Sequence, residues 1–217
     1  MRIIAKSTLR EFWLKHADSE QALKSWYQET DKSIWQHPND IKAEYPSASI
    51  LPNSRVVFNI KGNTYRLIVK INYAYQMLWI RFIGTHAEYG KIDSTKIQEM
   101  NIKPIKTEQD YQDALKRLEF IFDAVPNTKE GDELEILGVL IDSYEKIYFP
   151  IDLPDPIEAI KFRMNQLNYS NHDLAQIIGL KSRVSEILNK KRKLSINMIR
   201  KLHDALRIPT DVLVQEY

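Results

Sequence analysis

Residues 64–85 read TYRLIVKINYAYQMLWIRFIGT. Two runs rich in β-branched and aromatic residues, 64–71 and 76–85, enclose a short stretch of turn material, NYAY, and that pattern makes paired strands. Just upstream, RVVFNI at 55–60 is a third such run, parted from the second by KGN. Links this short allow only antiparallel neighbours, so the three strands are expected to form a meander. Ahead of them the apolar period changes. A short strand at Arg2 to Ile4 leads to Thr8, placed to cap a helix with Glu11 as its reciprocal partner, and Leu9, Phe12, Trp13 and His16 recur at helical spacing. A second helix is predicted from Asp18, with Gln21 three residues on, to about Ser33, burying Ala22, Leu23, Trp26 and Tyr27. Two helices on one face of a meander make a small α+β domain over residues 1–99.

Alternation along the strands places the polar chemistry. With Tyr65, Leu67, Val69 and Ile71 toward the helices, Arg66, Ile68 and Lys70 face the other way. In the next strand Leu78, Ile80 and Phe82 separate from Trp79, Arg81 and Ile83, which puts Arg66 and Arg81 on one open face. GTHAEYGK, at 84–91, then brings His86, Glu88, Tyr89 and Lys91 to the same end. Two guanidinium groups can hold a phosphodiester and its growing transition-state charge, and an imidazole near neutrality can move the proton of a 2′-hydroxyl or of a leaving 5′-oxygen. This chemistry calls for no metal and no cofactor. Binding of RNA without cleavage, or surface charge alone, accounts for the same residues.

The 217-residue chain is 43% hydrophobic and 28% charged and has no Cys, which excludes disulfides, thiolate catalysis and cysteine metal sites. No apolar run approaches the ~20 residues of a membrane-spanning helix. Charges threaded through MRIIAKSTLREFW argue against a secretion signal, so a cytoplasmic protein with no membrane partner is expected. The formal net charge is only +2, yet its distribution is uneven. Residues 1–99 hold 14 Lys or Arg against 10 Asp or Glu, residues 100–156 hold 6 against 13, and residues 157–217 hold 11 against 6. A basic, acidic, basic order suits two anionic partners, nucleic acid first among them, with the acidic block able to cover a basic one.

The first block, through FNIKGNTYRLI and IRFIGTHAEYGKI, resembles the HigB toxins of the RelE superfamily, which are ribosome-dependent mRNA endonucleases. In that family the hairpin carries N..GN.YRL and the last strand ends in TH.EYD.I, so Asn59, Gly62, Asn63, Arg66, Arg81, His86 and Tyr89 match. The resemblance implies catalytic roles for Arg66, Arg81, His86, Tyr89 and Lys91. The family's Asp after the Tyr is replaced here by Gly90.

Past residue 100 the pattern is helical throughout. Thr107 caps a helix with Tyr111, Leu115, Leu118, Phe122 and Val125 in one stripe. After PNTKEGD, a second helix buries Leu134, Leu137, Leu140 or Ile141, Tyr144, and Ile147 or Tyr148. Residues 100–150 thus read as a helical hairpin. Its stripes either bury only each other or leave Glu119, Asp123, Glu130, Asp132, Glu133 and Glu135 to dock on a basic partner. PIDLPDP, at 150–156, is a stiff connector.

From Pro156 to the end lies a DNA-binding pattern. Pro156 opens a helix with Ile157, Ile160, Met164 and Leu167 inward. SNHDLAQIIGLKSRVSEILNKKRKLS, at 170–195, then gives a capped helix headed by Asn171, a Gly that ends it, a three-residue turn and a second short helix, which is helix-turn-helix spacing. Leu174, Ala175, Ile178, Val184, Ile187 and Leu188 supply the core. Lys181, Ser182, Arg183, Ser185, Glu186 and Asn189 are left outward for base edges or phosphates, and Lys190, Lys191, Arg192 and Lys193 follow beside the DNA backbone.

This tract, over 156–217, resembles the Xre-type repressor domain, and in VSEILN, the basic run and the following LS it is similar to the HigA antitoxins. Those proteins bind HigB toxins and, with them, repress their own operon. HigB genes commonly precede HigA genes, the order found here, and Met100 reads as a former or alternative start. The two resemblances together imply a toxin–antitoxin fusion. Its expected partners are mRNA on the ribosome for the first half, operator DNA for the second, one half for the other in cis or in trans, and a second copy in a homodimer. The alternative is a transcriptional repressor whose catalytically inactive N-terminal domain binds a partner.

Overall fold

The computed structural model describes residues 1–62, 64–85, 103–179 and 181–217, the side chains of Lys181 and Ser182 excepted. The first half is built on a five-stranded sheet in the order β1-β5-β4-β3-β2, from β1 (Arg2–Ile4), β2 (Ser49–Leu51), β3 (Arg55–Ile60), β4 (Tyr65–Asn72) and β5 (Met77–Thr85). The meander β3-β4-β5 is antiparallel as expected, and β1 closes one edge parallel to β5, Ile4 beside Trp79. Helices α1 (Lys6–Lys15) and α2 (Glu20–Lys32) are joined by a 3-10 turn at Ala17–Ser19. Trp26 of α2 meets Phe58 at 5.5 Å between ring centres. Phe58 pairs with Leu67 and therefore shares its face of the sheet. An additional helix α3 (Pro38–Glu44) and the edge strand β2 occupy the stretch between α2 and β3, for which the sequence reading offered no element. Among the described residues no helix is long and apolar enough to cross a membrane.

Two local readings are corrected. Thr8 does not cap α1; the helix starts earlier, at Lys6, with Ala5 as N-cap in the left-handed region (φ 68°) and no side-chain cap of its own. The reason is distant in sequence, because the carboxylate of Glu145 accepts the amides of Ala5 and Lys6 at 2.7 and 3.1 Å. In β5 the alternation is broken by a bulge. Ile68 pairs with Phe82 and Val69 with Ile80, leaving Arg81 as the additional residue. Phe82 consequently joins Trp79 on the second face, and Ile83 moves to the helix face opposite Leu67.

The second half begins with α4 (Glu108–Ile121) and α5 (Lys129–Tyr148), each N-capped by a threonine, Thr107 and Thr128. Their stripes bury more than each other. Tyr111, Leu118, Phe122, Leu134, Leu137, Ile141 and Tyr144 lie in the same apolar cluster as the sheet, and Trp79 packs against Phe122 at 5.6 Å. The hairpin therefore covers the second face. Gly138 lets α5 come close, since a Cβ there would run into the end of Met77. Val125, Ile147 and Tyr148 are exposed, Val125 because α4 ends before it.

Helices α6 (Pro156–Leu167), α7 (Asn171–Ile178), α8 (Lys181–Leu188), α9 (Ile196–Leu206) and α10 (Thr210–Leu213) form a separate core from Ile157, Ile160, Leu174, Ile178, Val184, Ile187 and others. Ser170 and Asp173 cap α7 reciprocally and Gly179, at φ 87°, ends it. Two residues rather than three separate α7 from α8. This unit docks on α2 through α6. Arg163, almost fully buried, donates to Glu29 at 3.3 Å, to the Glu44 carbonyl at 3.1 Å and to the Leu206 carbonyl at 2.8 Å. Gln166 bridges Ser47 and the Asn59 carbonyl.

Removing Arg163 leaves the Glu29 carboxyl and the carbonyls of Glu44 and Leu206 buried without their donor. Arg163→Ala should lower the unfolding free energy in urea by about 3–5 kcal/mol, and adding Glu29→Leu to Arg163→Met should recover part of it.

Candidate functional site

The second sheet face carries the residues that sequence reasoning singled out. Arg66 on β4 stands opposite Gly84 on β5, and Asn59 on β3 stands opposite Arg66. Arg81, displaced by the bulge, lies over the Trp79 ring with its guanidinium carbon 4.0 Å from the ring centre. Both arginines belong to this face, as expected. His86, Tyr89 and Lys91, with Asn63 and Gly90, lie outside the described residues. His86, Tyr89, Gly90 and Lys91 come after Thr85, which closes β5 opposite Tyr65.

The face is not open. Glu119 of α4 forms an ion pair with Arg81, and Asp123 forms one with Lys70. Asn72 donates to the Phe122 carbonyl at 2.8 Å. Of the six acids expected to dock on a basic partner, Glu119 and Asp123 meet the sheet, whereas Glu133 pairs with Arg117 inside the hairpin at 2.6 Å. Two further acids, absent from that expectation, reach the first half from α5. Glu145 binds the start of α1, and Asp142 binds Lys6 at 2.7 Å. The signal that points to them is indirect: the start of α1 has no Ser, Thr, Asp or Asn at its cap, so its first amides need an acceptor from elsewhere.

Burial pushes the Glu145 carboxyl up to about 7, against the pull of the Tyr111 hydroxyl, Lys6 and the two amides. Burial likewise pushes Glu29 up to about 8, with Arg163 and Tyr45 opposing and Glu44 adding to the rise. Both surfaces between the two halves thus contain a carboxyl that ionises reluctantly.

On the DNA side, Asn171 is exposed at the head of α7, and Ser185 on α8 and Asn189 just past its end are exposed, with Arg183 partly covered. The Asn189 amide donates to the Ser185 carbonyl at 2.8 Å. Lys181 and Ser182 begin α8, and their side chains are not described. The basic run divides. Lys190 pairs with Asp155 and Arg192 with Glu186, each at 2.6 Å, whereas Lys191 and Lys193 are exposed with no ion pair among the described residues.

Two known families match separate stretches of the chain. Residues 19–92 match the HigB toxin family, described as the RelE-like toxic component of a toxin–antitoxin system, and residues 160–213 match the helix-turn-helix family. The chain therefore joins a RelE-like toxin domain to a helix-turn-helix domain. More particularly, its first part is similar to the mRNA interferase HigB of Escherichia coli O6:H1 (strain CFT073), 28% identical over 94 residues, which is 42% of this chain and 91% of that protein. The mRNA interferase toxin HigB of Escherichia coli K12 and the mRNA interferase HigB of Shigella flexneri are each 26% identical over 91 residues, 41% of this chain and 88% of theirs.

The raised carboxyls fix a pH dependence. Each binds its proton more tightly in the folded chain than at the ordinary value of 4.5, so the stability it contributes is complete below that value and is lost as pH climbs through about 7 and about 8. The melting temperature should therefore fall between pH 5 and 8. Glu29→Gln and Glu145→Gln should each flatten that slope, by up to about 1.4 kcal/mol per pH unit; an unchanged slope in both would contradict the assignment.

Proposed function

We propose that this chain is a toxin and its antitoxin in one polypeptide. The first half is a ribosome-dependent mRNA endonuclease, and the second half silences it and binds operator DNA as a dimer for autorepression. The observation that supports it most is the seating of Glu119 and Asp123 on Arg81 and Lys70. These acids place negative charge where a scissile phosphate needs the guanidinium. In the free toxin half, Arg66 and Arg81 stabilise the phosphate, His86 serves as general acid or base for attack by the 2′-hydroxyl, and Tyr89 and Lys91 assist. No step in this scheme draws on a metal or cofactor. A tether holds the inhibitor near ~mM effective concentration, so the joined chain is silent at rest. The exposed Ser185 and Asn189, flanked by Arg183, Lys191 and Lys193, are free to meet DNA while the sheet is covered.

Expression of residues 1–99 alone should arrest growth, Arg66→Ala or His86→Ala should relieve the arrest, and the whole chain should be harmless. Absence of arrest from residues 1–99 that are soluble and folded by circular dichroism would favour the repressor with an inactive first half, the reading to which Gly90 lends weight.

A gel shift with the DNA upstream of the gene should show binding that weakens steeply with salt. Arg183→Ala with Asn189→Ala should abolish the preference for that DNA, and Lys191→Ala and Lys193→Ala should each reduce the salt slope by about one.

A further inference from the structure

The start of α1 is built to hold an anion. Ala5 sits in the left-handed region before the first helical turn, a conformation unfavourable for an L-residue, and it aims two successive amides at one point. Lys6 brings its ammonium to the same place although its side chain is only 2% exposed. The Ser7 hydroxyl lies 3.1 Å from that of Tyr111. All these donors belong to the toxin half, and what fills them belongs to the hairpin. Glu145 Oε1 accepts from both amides and from the Tyr111 hydroxyl at 2.6 Å, and Asp142 takes the Lys6 ammonium. Among the described residues the second Glu145 oxygen is buried with no hydrogen-bond partner, so the fit is imperfect.

The cradle also lies beside the arginine strand. Ile4 is level with Trp79 in the parallel pair, which sets Ala5 and Lys6 next to the segment leading into Arg81, with neighbouring strands roughly 4.8 Å apart. Four hairpin carboxylates, Glu119, Asp123, Asp142 and Glu145, thus meet Arg81 on β5, Lys70 on β4, Lys6 and the α1 amides.

We propose that the N-terminus of α1 is a binding site for an RNA backbone phosphate, occupied in the resting chain by Glu145 and Asp142 as stand-ins. One phosphate oxygen takes the place of Glu145 Oε1 on the amides and another takes that of Asp142 on Lys6. A phosphodiester keeps its full charge at neutral pH, whereas the buried Glu145 carboxyl does not, which lets the nucleic acid compete. The choice of RNA rests on the nuclease reading; the anion site itself does not.

The test uses the whole chain. Glu145→Gly vacates the site, and inorganic phosphate, balanced against chloride at constant ionic strength, should then raise the melting temperature by about 3–6 °C once it stands tenfold above its dissociation constant. The unsubstituted chain and Glu145→Gln, whose amide still fills the space, should show no such rise, and Lys6→Met in the Glu145→Gly background should remove it. Should Glu145→Gly fail to fold in chloride, recovery of the fold in phosphate supports the site and failure in both salts overturns it. A rise no greater than with chloride also overturns it. An uncleavable 2′-O-methyl oligoribonucleotide should act at lower concentration than free phosphate, with the same dependence on Lys6. A response to phosphate without one to the oligonucleotide would overturn the assignment to RNA while leaving the nuclease reading to be judged by growth arrest.

Discussion

A sheet that is apolar on both faces has to be covered on both. Leu67, Val69 and Ile71 face α1 and α2, while Ile68, Met77 and Trp79 lie on the other side and are equally buried. The described helices of the first half pack on the first of these faces. Coverage of the second comes from α4 and α5, whose apolar stripes merge with the sheet into one cluster, while α6 to α10 keep a core of their own. The covalent order places the hairpin with the helix-turn-helix, but its packing places it with the sheet. One segment thus both covers the sheet and links it to the helix-turn-helix unit.

Apolar burial supplies attraction without register. Register comes from a few charged groups at fixed places: Glu119 and Asp123 on the sheet, Glu145 and Asp142 at the start of α1, and Arg163 between Glu29 and the Leu206 carbonyl. Exposed pairs among these contribute little stability, whereas a buried ion such as Arg163 is costly to remove from water and costlier still to leave alone. Such groups penalise every misaligned docking, because each shift strands a buried donor or carboxyl. They also explain the left-handed Ala5: its strain is tolerated because Glu145 completes the helix that Ala5 begins.

Elements whose signal is local were legible in the sequence. The three strands, the Thr107 cap, the Ser170–Asp173 cap and the Gly179 stop follow from residue type and spacing alone. What escaped depends on partners far along the chain. Thr8 and Glu11 make a plausible capping pair, yet the true start of α1 is set by Glu145, well over a hundred residues away. The bulge at Arg81 swaps Phe82 and Ile83, which strict alternation has no means to foresee. The sharing of one face by Arg66 and Arg81 was readable because alternation holds on β4. Its coverage by Glu119 was readable only as a surplus of acid in residues 100–156.

The two surfaces with nucleic-acid chemistry stand in opposite conditions within the same chain. Arg81 and Lys70 are paired with carboxylates, whereas Ser185 on α8 and Asn189 just past it are exposed. Contacts between the halves run through the sheet, α1, α2 and the end of α3 on one side and through α4, α5, α6, Arg207 and α10 on the other, and α8 contributes none of the named pairs. Covering one nucleic-acid surface therefore does not require covering the other. Arg163 strengthens the separation, because it ties the end of α9 to α2 and so fixes the helix-turn-helix against the toxin half without spending a residue of α8. Among the described residues, the hairpin covers the second face of the sheet while Ser185 of α8 stays exposed, so the two surfaces are presented independently within a single fold.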